Sequence, residues 1–357
     1  GPVSGVVSKQ GVLVVKGIPY AKPPIGTRRW APPQPMDPWD TLRKGNRFGA
    51  NAMQAKPVSR GVYTPEFLIP NDTVSEDCLY LNVWTPDPAP AEPLPVMVWI
   101  HGGGDVSGAT GDLVPFPPYE SYRLYDAHNL AADRNVVVVS MNYRLGVFGF
   151  FGHPALADED PGYPYTGNQG LLDQRLALEW VRDNVRAFGG DPANVTIFGE
   201  SAGAWNVCAH VASPMSAGLF HRAISESGGC TAGIATAAKS AARASEIVTA
   251  VGCDGALDVL ACLRGAPVAA LLDAYGNFEL AGTPISVDGA FLPAHPRTLF
   301  DTGAFSRVPY MMGFNSDEGT LFFVGSTAIT TPAEYTTELV ARYGATLAPE
   351  IEARYPV

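Results

Sequence analysis

Val195-Thr196-Ile197-Phe198-Gly199-Glu200-Ser201-Ala202-Gly203 sets an apolar strand directly before a glycine-flanked serine, and an apolar helical run follows. A strand that enters a helix through so sharp a turn forces strained dihedrals on its central residue. Glycines two positions to either side remove the side chains that would clash there. The Ser201 hydroxyl is then carried at a helix N-terminus, where backbone N–H groups and the helix dipole favour developing negative charge. G-x-S-x-G arises often by chance, and it is the strand–turn–helix context that makes Ser201 a candidate nucleophile.

Outward from this stretch lie two further apolar runs, Leu94 to Ile100 and Asn135 to Met141. Such runs fit strands buried on both faces, as in a parallel sheet. Tyr122 to Arg134 reads as a helix between them. Leu172, Leu176, Trp180 and Val185 form a helical stripe within Leu171 to Phe188. Strand and helix alternate, which predicts an α/β fold with right-handed crossovers. Val12 to Val15 and the following Lys16-Gly17-Ile18-Pro19 are strand-like, whereas prolines between Ala21 and Pro38 forbid regular ladders. Residues 52–78 read as a long excursion of the functional-loop kind. Residues 231–280 are Ala-rich and helical in pattern, an insertion or cap. With no repeat and no low-complexity linker, residues 1–357 read as a single domain.

A second motif closes the Leu94–Ile100 strand: His101-Gly102-Gly103-Gly104. Glycines let backbone N–H groups approach a reacting carbonyl with no Cβ in the way. Each such donor contributes a few kcal/mol, about 10²–10³ in rate, when acyl transfer places charge on the former carbonyl oxygen. Two such motifs at the ends of two strands of one sheet point to one site, with Ala202 N–H as the remaining donor.

Composition narrows the partners. A formal net charge of −11 and the lack of a basic stripe argue against nucleic acid. Apolar runs fall short of the about 20 residues a membrane span needs. No His/Cys cluster has metal-ligand spacing, so neither metal nor cofactor is expected. Of five cysteines, Cys208 reads as a small core residue, and an odd count leaves at least one thiol free or paired between chains. Cys253 and Cys262 either close a small disulfide loop or stay as two buried thiols.

Along nearly its whole length the chain resembles the type-B carboxylesterase and cholinesterase family. The matching stretches include Gly17-Ile18-Pro19-Tyr20-Ala21, Ser75-Glu76-Asp77-Cys78-Leu79-Tyr80-Leu81-Asn82-Val83-Trp84, Met141-Asn142-Tyr143-Arg144 and Gly167-Asn168-Gln169-Gly170. They continue through Ala187-Phe188-Gly189-Gly190-Asp191-Pro192, the serine motif and Asn315-Ser316-Asp317-Glu318-Gly319. The resemblance implies an α/β-hydrolase fold, a central mostly parallel sheet flanked by helices. It implies a serine carboxylesterase acting on small-molecule esters, with Glu318 as triad acid. It further implies oxyanion donors at Gly103, Gly104 and Ala202, supporting positions at Glu200 and Ser227, and a Cys253–Cys262 disulfide. A persistent disulfide suggests a secreted or periplasmic protein.

Departures from the family pattern carry information too. Ala52 stands where the partner of Cys78 is expected, so Cys78 reads as unpaired. Residues 53–77 hold no tryptophan, which speaks against a choline-ester specialist. Asp105 follows the glycines, where an aromatic or aliphatic residue is usual, and suggests a polar or cationic substrate group. Trp205 replaces something small and would narrow a pocket. In this fold the triad runs Ser, acid, His along the chain, yet none of the six histidines follows Glu318. The expectation is a C-terminally incomplete chain, whether truncated, nicked, or one of two polypeptides, with the histidine beyond residue 357 on a separate fragment. Two other functions fit less well: a non-catalytic recognition or adhesion module, against which the retained serine and glycines speak, and an interfacial lipase, for which residues 231–280 are too weakly apolar.

Overall fold

The computed structural model of the chain describes residues 1–55, 73–111, 113–114, 122–231, 233–276, 284–318 and 329–356. Two compact units emerge, residues 1–58 with 64–315, and residues 59–63 with 316–357.

The first unit is built on an eight-stranded sheet. In chain order the strands are β1 (Val6–Val7), β2 (Leu13–Pro19), β3 (Tyr80–Thr85), β4 (Leu94–Ile100), β5 (Val137–Met141), β6 (Gly190–Glu200), β7 (Arg222–Glu226) and β8 (Tyr310–Gly313). Their spatial order is β8-β7-β6-β4-β5-β3-β2-β1. From β8 to β5 all neighbours are parallel; the β5–β3, β3–β2 and β2–β1 pairs are antiparallel. The apolar runs therefore become the central strands, and every residue of β5 is buried. This is the mostly parallel sheet of an α/β-hydrolase.

Helices flank the sheet, α1 (His128–Arg134) on one face and α2 (Gln169–Asn184) and α3 (Ala202–Ala212) on the other, and α4 (Ala237–Val251), α5 (Val259–Gly265), α6 (Val268–Tyr275) and α7 (Pro296–Thr302) follow along the chain. One core joins Val96, Val98, Val139 and Ile197 to Leu178 and Val181 of α2 and Val207 and Val211 of α3. Val14, Trp84 and Val138 pack on the opposite face with Ala131 of α1. The helix read over 122–134 is shorter than expected. The Asp126 carboxylate accepts the His128 N–H at 3.1 Å, and a side chain competing for backbone donors in this way starts a helix only beyond itself. Tyr122–Arg123 instead pairs antiparallel with Leu113–Val114.

The region 231–280 holds α4 to α6, with residues 232 and 277–280 outside those described. Leu263, Leu271 and Tyr275 pack there with Trp30, Phe148 and Phe151. Residues 56–72 of the 52–78 excursion also lie outside the described residues, but its ends are held by parallel pairing of Asn51–Ala52 with Val74–Ser75. In the second unit, a helical segment α8 (Pro332–Arg354) opens on a Thr331–Glu334 capping box and is broken at Gly344 (φ +79°).

Candidate active site

The backbone at Ser201 has φ +55° and ψ −121°, between the end of β6 and the start of α3. No L-residue sits there without strain, and such strain gathers at functional positions. Close crossing strands explain the glycines. A Cβ on Gly203 would lie 2.0 Å from the Ile100 carbonyl oxygen, and one on Gly199 would lie 2.7 Å from the same atom. The Ser201 N–H is held by the Glu226 carbonyl at 2.9 Å, so β7 braces the turn from its other side.

The loop after β4 lies against this turn. A Cβ on Gly102 would fall 3.1 Å from Ser201 Cβ and 2.7 Å from the Glu200 carbonyl oxygen. Gly103, Gly104 and Asp105 then take three successive positive φ values, +104°, +67° and +58°. The Gly103 carbonyl accepts from Val106 N–H at 3.2 Å, Ser107 N–H at 3.0 Å and Ser107 Oγ at 3.0 Å. Gly103 and Gly104 are thereby set on a tight turn next to Ser201, and Ala202 is buried at the first position of α3.

Glu200 is exposed at the end of β6. Ser227 has φ +56° just past β7, donates its N–H to Gly313 O at 2.7 Å, and accepts from Asn315 Nδ2 at 3.3 Å. Trp205 is half-buried and packs against the core cluster that includes Leu171, Ala209 and Phe291. Glu318 belongs to the second unit, half-buried in the turn at 316–318, and Gly319 lies outside the described residues.

Asp105 does not stand in a substrate space. It is fully buried, and its carboxylate accepts from Asn206 and Tyr143. The substrate contact expected of it finds no support in this geometry, because its position directly after the glycines turns the side chain into the core.

Each histidine has another engagement. His101 Nδ1 faces the Gly102 carbonyl at 2.9 Å, and its ring stacks on Tyr143 with centroids 4.4 Å apart. Complete burial pushes its pKa down to about 4. His210 bridges Ser216 Oγ at 2.7 Å and Gln174 Oε1 at 3.0 Å. His128 pairs with Asp126, His153 stacks on Phe151, His221 accepts from Val195 N–H, and His295 caps α7.

The cysteines bring one correction. Cys253 and Cys262 form a disulfide between α4 and α5, and Cys78 is free and buried. Cys208, read as a lone core residue, is bonded to Cys230. The bridge joins α3 to the chain just past β7, an adjacency that a 22-residue separation does not reveal. Among the described residues, no group of three or more His, Cys, Asp and Glu could hold a metal, and no helix is long and apolar enough to cross a membrane.

The model of the Carboxylesterase family matches residues 1–346. Para-nitrobenzyl esterase of Bacillus subtilis (strain 168) is 38% identical over 100% of this chain and 69% of its own length. Acetylcholinesterase of Bungarus fasciatus is 39% identical, over 86% of this chain and 50% of its own length. Cocaine esterase of Oryctolagus cuniculus is 42% identical, over 86% of this chain and 55% of its own. The chain spans about half the length of the animal relatives it matches.

Proposed function

The chain belongs to the carboxylesterase family, and from that premise we propose that it hydrolyses carboxylic esters of small molecules through an acyl-enzyme on Ser201. The observation that carries this reading is the strained Ser201 backbone with Gly102 packed against its Cβ. Ser201 Oγ bonds to the ester carbonyl carbon while its proton passes to a general base. N–H groups of Gly103, Gly104 and Ala202 bind the resulting oxyanion. Collapse of the intermediate breaks the bond to the alcohol, which leaves with that proton, and water then repeats the sequence on the acyl-enzyme.

Glu318 is assigned as the acid that orients the base, on the strength of the matching Asp-Glu-Gly segment. The base is a histidine, and all six in this chain are engaged elsewhere, so the proposal assigns it to sequence outside residues 1–357. Glu200 and Ser227 support the turn, and Trp205 narrows the pocket. Two disulfides fit a protein matured in an oxidising, extracytoplasmic compartment.

The test is labelling of the full-length protein with a fluorophosphonate, followed by peptide mapping. The expected result is one adduct, on Ser201, absent from Ser201→Ala. A folded protein that takes no label and hydrolyses no ester across a panel would overturn the proposal and favour a non-catalytic recognition role.

A further inference from the structure

Asp105 is an acid in a place where no charge has a counter-ion. Its exposure is 0%, and its polar contacts fall on one oxygen: Asn206 Nδ2 donates to Oδ1 at 2.8 Å, and the Tyr143 hydroxyl lies 3.2 Å from Oδ1 while its single proton also faces the His101 carbonyl at 2.8 Å. Oδ2 has no partner among the described residues, and neither has Asn206 Oδ1. The titratable groups around it are His101 at the end of β4, Tyr143 just past β5 and Tyr275 on α6, with the amide of Asn206 on α3. None is a cation, since His101 carries its proton on Nδ1, facing the Gly102 carbonyl, and burial keeps the ring neutral.

An ionised carboxylate in such a place leaves a buried charge unpaired, which is strongly destabilising. A carboxylic acid does not. A proton on Oδ2 turns that partnerless acceptor into a donor, and Asn206, whose Nδ2–H already reaches Oδ1, holds a partnerless acceptor in its own Oδ1. Burial pushes the Asp105 carboxyl up to about 7, in the same direction.

The pair sits between the two halves of the candidate site. Asp105 directly follows Gly103 and Gly104, and its own carbonyl accepts the Gly146 N–H at 2.7 Å. Asn206 is on α3, five residues after Ser201. We propose that Asp105 is a positioning residue: as a neutral acid paired with the Asn206 carboxamide, it fixes the oxyanion glycines against the helix headed by Ser201. This rests on the reaction proposed above. Oxyanion donors act through placement, and a shift of about 1 Å can cost about 10²-fold in rate. Ionisation of Asp105 would remove the complementary donor and loosen the loop.

The experiment compares wild type, Asp105→Asn, Asp105→Leu and Asn206→Ala in the full-length protein. Asn is neutral, keeps polar atoms on both arms, and tolerates a positive φ. Two readouts are taken across pH from about 5 to 9: the rate of fluorophosphonate labelling at Ser201, and the infrared carbonyl stretch of a neutral carboxylic acid in the wild type minus Asp105→Asn difference. The expected result is a neutral-acid band that fades as pH rises through about 7, with wild-type labelling weakening over the same range and Asp105→Asn labelling not weakening. Asp105→Leu, or Asn206→Ala should the leucine variant not fold, labels about 10–100-fold more slowly. A folded Asp105→Leu or Asn206→Ala that labels at the wild-type rate overturns the proposal, as does a missing acid band at pH about 6. If the acid band is present but the wild type takes no label, the esterase reading has failed and the positioning role fails with it, leaving the neutral pair as a feature of the core alone.

Discussion

Arg144 grips Asp173 with two parallel hydrogen bonds, Nη2 to Oδ1 at 2.7 Å and Nε to Oδ2 at 2.8 Å. The Arg144 backbone N–H adds a third at 3.0 Å, and side-chain exposures are only 3% and 0%. The pair ties the chain just past β5 to α2, and Nη1 reaches on to the Ala31 carbonyl at 2.9 Å. Removing one partner leaves a buried charge unanswered, at a cost of about 3–5 kcal/mol. Asp173→Asn should lower the urea midpoint accordingly, whereas the double change Arg144→Met with Asp173→Leu should recover much of the loss. A double variant less stable than the single one would count against this account.

Gly203→Ala tests how closely β4 passes beneath the serine turn. The new Cβ would meet the Ile100 carbonyl oxygen at 2.0 Å, and backbone cannot rotate away. Overpacking costs about 1–3 kcal/mol, and the upper end is expected here along with slow labelling of Ser201. Gly265→Ala is the control, since nothing lies within 4 Å of that position. It should be neutral or stabilise by up to about 1 kcal/mol in the same urea titration.

Cys208–Cys230 closes a loop of 22 residues across α3 and β7. Loss of such a bridge costs about 2–4 kcal/mol, through a less restricted unfolded chain. The double change to alanine should lower stability by that amount. An unchanged thermal midpoint would show that the bridge adds nothing.

Two buried histidines predict a loss of stability in acid. Burial pushes His101 down to about 4 and His210 down to about 3. The unfolded chain protonates each near pH 6.5 while the folded chain does not, so their stabilisation is full above about 6.5 and falls as pH drops toward the folded values. Asp105 opposes them: with its folded value raised to about 7, its contribution is largest below the ordinary carboxyl range and is lost as pH rises through 7. For these three groups, between about pH 6.5 and 4, the balance is one extra proton on the unfolded chain, a contribution of about 1.4 kcal/mol lost per pH unit. Asp105→Asn removes the opposing group, and the measured slope should steepen by about 1.4 kcal/mol per pH unit relative to the parent protein. Urea titrations at several pH values read both slopes.

Where a feature of this molecule is local, its residues announce it. Val137 to Met141 is apolar but for Ser140 and proves to be a strand buried on both faces, and the glycines around Ser201 mark the strained turn. Features made by distant residues stay hidden. An aspartate after three glycines looks exposed until Tyr143 and Asn206 are seen to enclose it. Cys208 has no visible partner until β7 returns beside α3. The helix expected over 122–134 begins only at His128, because residue types alone do not show that the Asp126 side chain takes the His128 N–H.

Gly199 is paired in register with Ile100, and Gly203 rests on the same carbonyl. The alignment of β4 with β6 is therefore a working part of the site. A slip of one residue between the two strands would turn every side chain of β4 to the other face. It would also draw the glycine loop about 3.3 Å along the strand direction, away from Ser201. Hydrogen bonds that merely hold a sheet together elsewhere act here as a gauge that sets how far the glycine loop stands from Ser201.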